Sequence, residues 1–151
     1  MKNFIAISFL IFIYGCGYTS VLKDQKMQDF MINIKNMQGD SQTNQFMNNQ
    51  LKLASNPSST KYFDIEIKSK YNKEIITKNS AGVATDYKIN IDLEFTVLSK
   101  NNLKKIYRES FNIKNNSKNF ENLNYEKEIK KNFASSTKDK FILYLISIND
   151  N

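Results

Sequence analysis

Histidine and tryptophan are absent from this 151-residue chain, and cysteine, proline and arginine occur once each. Without an imidazole the chain has, by itself, no His-based general acid or base, no Ser-His nucleophilic pair and no Cys/His zinc site; a single thiol excludes an intrachain disulfide. Only four glycines are present, two of them flanking Cys16, so no glycine-rich loop can cradle a phosphate. What remains is an inventory suited to holding, binding or tethering rather than to transforming a substrate. The expectation is therefore a non-enzyme that needs no cofactor and no metal.

The chain is basic, with a formal net charge of +7, and 40% hydrophobic, with 11 Phe and 8 Tyr to build a core. That is enough apolar material for one folded domain at this length and too little chain for two. Lysine, asparagine and isoleucine dominate, and all three are encoded by A/T-rich codons, which accounts for much of the lysine excess. Phosphate and guanine recognition favours the bidentate fork of arginine. With Arg108 as the sole arginine, no nucleic-acid partner is expected.

The N-terminus reads as an address. Lys2 precedes Phe4 to Tyr14, an apolar stretch in which Ser8 is the only polar residue. A helix of that length spans about 17 Å, short of the ~30 Å hydrocarbon core, and fits the apolar region of a signal peptide. Ile13-Tyr14-Gly15-Cys16 follows, with a branched aliphatic three residues before the sole cysteine and a small residue directly before it. That spacing resembles a bacterial lipobox, although Tyr14 stands where a small or aliphatic residue is usual; an ordinary secretory signal with a stray thiol is the plainer alternative. The division expected is a signal peptide over 1–15, a lipidated tether over 16–25 starting at Cys16, and one domain over 26–151. The acyl chains would hold the domain on a membrane. Gly17, in place of the Asp that marks inner-membrane retention in many lipoproteins, favours the outer membrane.

Beyond the tether, periodicity gives the order β-α-β-β-β-α. Phe30, Ile32 and Ile34 alternate with Met31, Asn33 and Lys35 as a half-buried strand. Gly39-Asp40-Ser41 breaks it and offers Asp40 or Ser41 as a cap for a helix carrying Phe46, Met47, Gln50, Leu51 and Ala54, ended by Asn56-Pro57. Phe63, Ile65 and Ile67 open a second strand that continues, with an irregularity, through Tyr71 to Ile76. Tyr87, Ile89, Ile91, Leu93, Phe95 and Val97 alternate six for six with polar residues, the mark of a strand in a sheet covered on one side. A fourth strand is read from Lys105 to Ile113, interrupted by Glu109. The last helix carries Ile129, Phe133, Thr137, Phe141, Leu145 and Ile148, with Glu126 and Glu128 near its start and Lys138 and Lys140 later, as the helix dipole prefers. The fold predicted is α+β, a two-layer sandwich in which two helices lie on one face of a four-stranded mixed sheet.

The lipobox, the opening Cys16-Gly17-Tyr18, this element order and Gly82-Val83-Ala84-Thr85-Asp86-Tyr87 leading into a long strand that ends Phe95-Thr96-Val97-Leu98 together resemble the LPS-assembly lipoprotein family, over roughly residues 16 to 148. The resemblance implies an outer-membrane lipoprotein that plugs a large β-barrel translocon subunit, assists its assembly and helps deliver lipopolysaccharide to the outer leaflet. Lys100, Lys104, Lys105 and Arg108, on and after the turn between the third and fourth strands, become the candidate contacts for lipopolysaccharide phosphates; a solvated charge cluster is the plainer alternative. Asp92 and Glu94 read as polar positions on an exposed sheet face, and Tyr62, Tyr71, Tyr87 and Tyr107 as packing or contact residues. Two further readings stay open: an envelope lipoprotein of another class, such as a lipid carrier or barrel-assembly accessory, and a tethered hydrolase using a Ser-Lys pair or carboxylates.

Overall fold

The computed structural model describes residues 30–99, 101–115 and 119–149. The Phe4 to Tyr14 stretch, Cys16, the tether and Lys100 lie outside the described residues. The elements run β1 (Met31–Gln38), α1 (Ser41–Ala54), β2 (Tyr62–Lys78), β3 (Ala84–Val97), β4 (Leu103–Lys114) and α2 (Asn119–Asn149). The sheet order is β1-β2-β3-β4, with β1 parallel to β2 and the rest an antiparallel meander. This is the α+β architecture expected from the periodicity.

β1 turns into α1 within three residues because Gly39 adopts φ 101°, a conformation that favours glycine, and because its missing Cβ leaves room for the Ser69 carbonyl. Asp40 is the N-cap: its side chain accepts from the Thr43 amide at 2.9 Å and from the Thr43 hydroxyl at 2.5 Å. At the other end of α1, Ser55 Oγ accepts from Ile32 N at 2.8 Å, which returns the chain to the start of β1. In β1 the register slips between Ile34 and Asn36, so Lys35 is an extra residue in a bulge and Met37 regains the inner face opposite Ile67.

The six-for-six alternation of β3 is borne out, with Ile89, Ile91, Leu93, Phe95 and Val97 buried and Tyr87 half-buried. These residues meet Met47 and Leu51 of α1 and Ile129, Phe133, Phe141 and Leu145 of α2 in one core. Phe95 and Phe141 stack at 4.0 Å between ring centroids with planes 19° apart. Burying rings of this size contributes about 2 to 3 kcal/mol each.

The strands and the last helix refine the reading from sequence in their details. The irregularity expected in β2 is found at Ile76: pairing is regular through Ile75 opposite Tyr87, and the register shifts between Ile75 and Thr77 and again between Thr77 and Lys78. Ser69 occupies an inward position because its hydroxyl serves the carbonyls of Gln38 and Asp40 at the tight β1-α1 junction. β4 begins at Leu103, two residues earlier than read, because Leu103 pairs with Val97 and packs on the core. α2 starts at Asn119 and is about 46 Å long, so Glu126 and Glu128 lie beyond its first turn and Lys138 and Lys140 before its last. Their placement answers to side-chain partners rather than to the dipole: Glu126 binds Tyr71 and Lys73, Lys140 binds Glu109, and Lys138 binds Asp139.

Candidate functional site

Alternation along β2, β3 and β4 gives the sheet two unlike faces. The face beneath the helices is mainly apolar, with charged residues only toward its margins; the other carries Glu66, Lys68 and Lys70 of β2, Lys88, Asp92 and Glu94 of β3, and Lys104, Arg108 and Lys114 of β4. Both described helices lie on the other side, so among the described residues no helix covers this face. Cross-strand register sets its charges in rows. Asp92 lies between Lys70 and Arg108, and Arg108 Nε approaches Asp92 Oδ2 at 3.5 Å. Lys104 Nζ lies 3.4 Å from Glu94 Oε1. Both cationic side chains are nonetheless about two-thirds exposed, so each ion pair is weak and open to exchange with another anion.

Of the four candidate contacts Lys100 lies outside the described residues, and the other three do not share one face. Lys104 and Arg108 share the polar face, four residues apart on one strand. Lys105 points to the helix side, its Nζ 5.4 Å from the centroid of the Tyr144 ring. Glu109, which interrupts the apolar face of β4, also points there and meets Lys140 at 3.7 Å. Asp92 and Glu94 are taken up by these ion pairs. Among the described residues no group of His, Cys, Asp and Glu could hold a metal ion, and no helix is long and apolar enough to cross a membrane.

Sequence reasoning missed a buried polar network between the layers. Lys130, 7% exposed, has its Nζ 3.0 Å from Asp40 Oδ1 and 3.8 Å from the centroid of the Tyr71 ring. The Tyr71 hydroxyl donates to Glu126 at 2.5 Å, and Lys73 donates to the same carboxylate at 2.6 Å. Burial, then the Glu126 hydrogen bond and charge, push the Tyr71 phenol well above its ordinary value. For Asp40, burial acts upward, but the Thr43 hydroxyl and amide and the Lys130 ammonium outweigh it and hold the carboxyl below its ordinary value. The available signal was the seven-residue step from Lys130 to Thr137, which puts Lys130 on the buried stripe of α2.

Of the tyrosines, Tyr71, Tyr87 and Tyr107 pack against the core and Tyr62 is exposed. At the far end of the β2-β3 hairpin the inner layer runs out of cover. Ile75, two residues past Lys73 on the helix side, is half exposed, and Leu123, seven residues before the buried Lys130, is 64% exposed. Ile76, Val83 and Phe120 extend this apolar end.

With the two helices over a β1-β2-β3-β4 sheet established, the architecture can be compared with solved structures. The rare lipoprotein B of Shewanella oneidensis superposes with a TM-score of 0.53 at 9% identity, over 80% of this chain and 95% of that one. The fold is shared with solved lipoproteins. A minor lipoprotein of Acinetobacter baumannii gives a TM-score of 0.51 at 6% identity, over 74% of this chain and 91% of that one. No sequence-family profile and no curated protein matches the chain. The likeness therefore lies in backbone architecture and not in side-chain detail.

Proposed function

We propose that this protein is an outer-membrane lipoprotein, anchored through Cys16, that plugs and helps assemble the β-barrel translocon for lipopolysaccharide and helps pass lipopolysaccharide to the outer leaflet. The observation that carries the reading is the fold, shared with solved lipoproteins, in a chain whose sole cysteine stands at lipobox spacing. The polar face of the sheet, which no described helix covers, supports it, because a plug must present hydrogen-bonding groups to a water-filled lumen. The exposed apolar end formed by Ile75, Ile76, Val83, Phe120 and Leu123 is a surface the barrel would cover. Lys104 and Arg108, exposed on the polar face, are the groups assigned to lipopolysaccharide phosphates, with Lys68 and Lys70 in the neighbouring strand. In this reading the protein binds and positions and catalyses nothing.

The test is affinity capture of the full-length protein from detergent-extracted outer membranes. Recovery of a stoichiometric β-barrel is expected. A protein that fractionates with the outer membrane but brings down no barrel, and whose depletion strands no lipopolysaccharide in the periplasm, would refute the translocon role.

A further inference from the structure

The pole of the domain at which the described chain begins differs from the rest of its surface. Phe30 and Met31 start here, and Met31 N donates to the Lys61 carbonyl at 2.8 Å, while Asn56 N donates to the Phe30 carbonyl at 3.0 Å. The last turn of α1, the 55–61 loop, the start of β2, the end of β3, the start of β4 and the end of α2 therefore converge on this side. Tyr62, Leu98, Leu103 and Ile148 line a groove of about 370 Å³. Three large apolar side chains stand out from this pole: Leu53 at 81%, Tyr62 at 64% and Leu98 at 37% exposure. In the described residues of 52–62, 97–103 and 145–149 the charged side chains are Lys52 and Lys61, with no carboxylate. Asp64, at the edge of the groove, is occupied by Lys35 and by Asn33.

We infer that this pole docks on an anionic lipid bilayer, with Leu53, Tyr62 and Leu98 at headgroup depth and Lys52 and Lys61 against lipid phosphates. The occupant follows from the chain itself. Cys16 precedes Phe30 by fourteen residues, a reach of at most about 50 Å, and that stretch joins the domain at this pole. The opposite pole stands away by the length of β2, about 56 Å. Acyl chains at Cys16 thus hold the apolar, lysine-bearing end near the bilayer at high effective concentration, where a few interfacial side chains suffice. A tyrosine flanked by lysine and leucine is the combination that partitions to the interface, and lysines near anionic headgroups add to it. The inference rests on the lipid-anchored part of the proposed function and not on the barrel.

The absence of tryptophan makes a clean test. Full-length Tyr62→Trp, Leu53→Trp and Phe120→Trp proteins are reconstituted in phosphatidylethanolamine-phosphatidylglycerol vesicles, with and without bromine on the acyl chains. Bromine should quench fluorescence roughly twofold or more at positions 62 and 53 and leave position 120, at the far pole, unchanged. Replacing the phosphatidylglycerol with a neutral lipid, or introducing Lys52→Glu with Lys61→Glu, should cut the quenching at 62 by about half. Protein retained on vesicles but unquenched at 62 and 53, or quenched equally at 120, overturns the docking while leaving the anchor intact. A blue shift at 62 without quenching means that protein covers the pole and likewise overturns it. Full-length protein that washes off the vesicles overturns both the anchor and the docking.

Discussion

Lys130 reaches from the middle of α2 to Asp40, the residue that caps α1, and its Nζ lies 3.0 Å from one carboxylate oxygen and 3.1 Å from the other. One carboxylate thus starts a helix and fixes a second helix against it. Lys130→Met should lower stability by about 2 kcal/mol, less than a fully buried pair because Asp40 keeps some contact with water. Asp40→Asn should retain the cap but leave the more deeply buried Lys130 ammonium without its counter-charge, at about 3 kcal/mol. Urea unfolding of both variants checks this. Because folding holds the Asp40 carboxyl below the ordinary 3.8, its contribution is fully present above that pH and is lost as pH falls below it. The Lys130→Met penalty should therefore shrink on acidification below about pH 4.

Tyr71→Phe removes the hydroxyl that donates to Glu126 and should cost about 1.5 to 3 kcal/mol at neutral pH. The folded phenol ionises above its ordinary 10.0, so its contribution is complete below pH 10 and declines as pH rises beyond it. Stability curves of the parent and the Phe variant should converge above pH 10. Parallel curves there would show that the hydroxyl does not carry the coupling.

Gly39→Ala should prevent folding or cost several kcal/mol, since a Cβ at position 39 would lie 1.8 Å from the Ser69 carbonyl oxygen. Gly82→Ala meets open space at φ 79° and should cost only about 1 kcal/mol of backbone strain. Thermal melts of the pair distinguish close approach from conformation alone.

Charge reversal of Lys104 and Arg108 together should weaken lipopolysaccharide binding about tenfold or more, given two phosphate contacts. Lys105→Glu, on the opposite side of the sheet, should change binding little. Asp92→Asn with Glu94→Gln frees both cations from their ion pairs and should tighten binding. Titration with purified lipopolysaccharide in detergent reads all three. Equal losses at 104 and 105 would argue for diffuse attraction instead.

The elements were legible where one chemical preference governed a whole segment. In β3 every inward residue is large and apolar, and a one-residue slip would expose all of them, so pattern and register agree. The same logic failed where a polar residue is buried because its partner is distant in sequence: Lys130 lies 90 residues from Asp40 and Tyr71 lies 55 from Glu126, and no local window contains such a pair. The candidate lysines were read as neighbours by sequence, but the alternation of β4 turns Lys104 and Lys105 to opposite faces. Which face met the helices was decided by Leu103, Tyr107 and Phe111, and Lys105 went with them.

The bulge at Lys35 acts between molecules as well as within one. Among the described residues β1 and β4 are the edges of the sheet, and an open edge is a template for adding strands side by side wherever molecules meet edge to edge. In β1 the bulge breaks the straight hydrogen-bonding edge beside an exposed lysine. Along β4, Lys104, Arg108 and Lys114 on one face and Lys105 on the other would bring like charges together if two such edges approached. A protein built this way can be concentrated without polymerising into fibres.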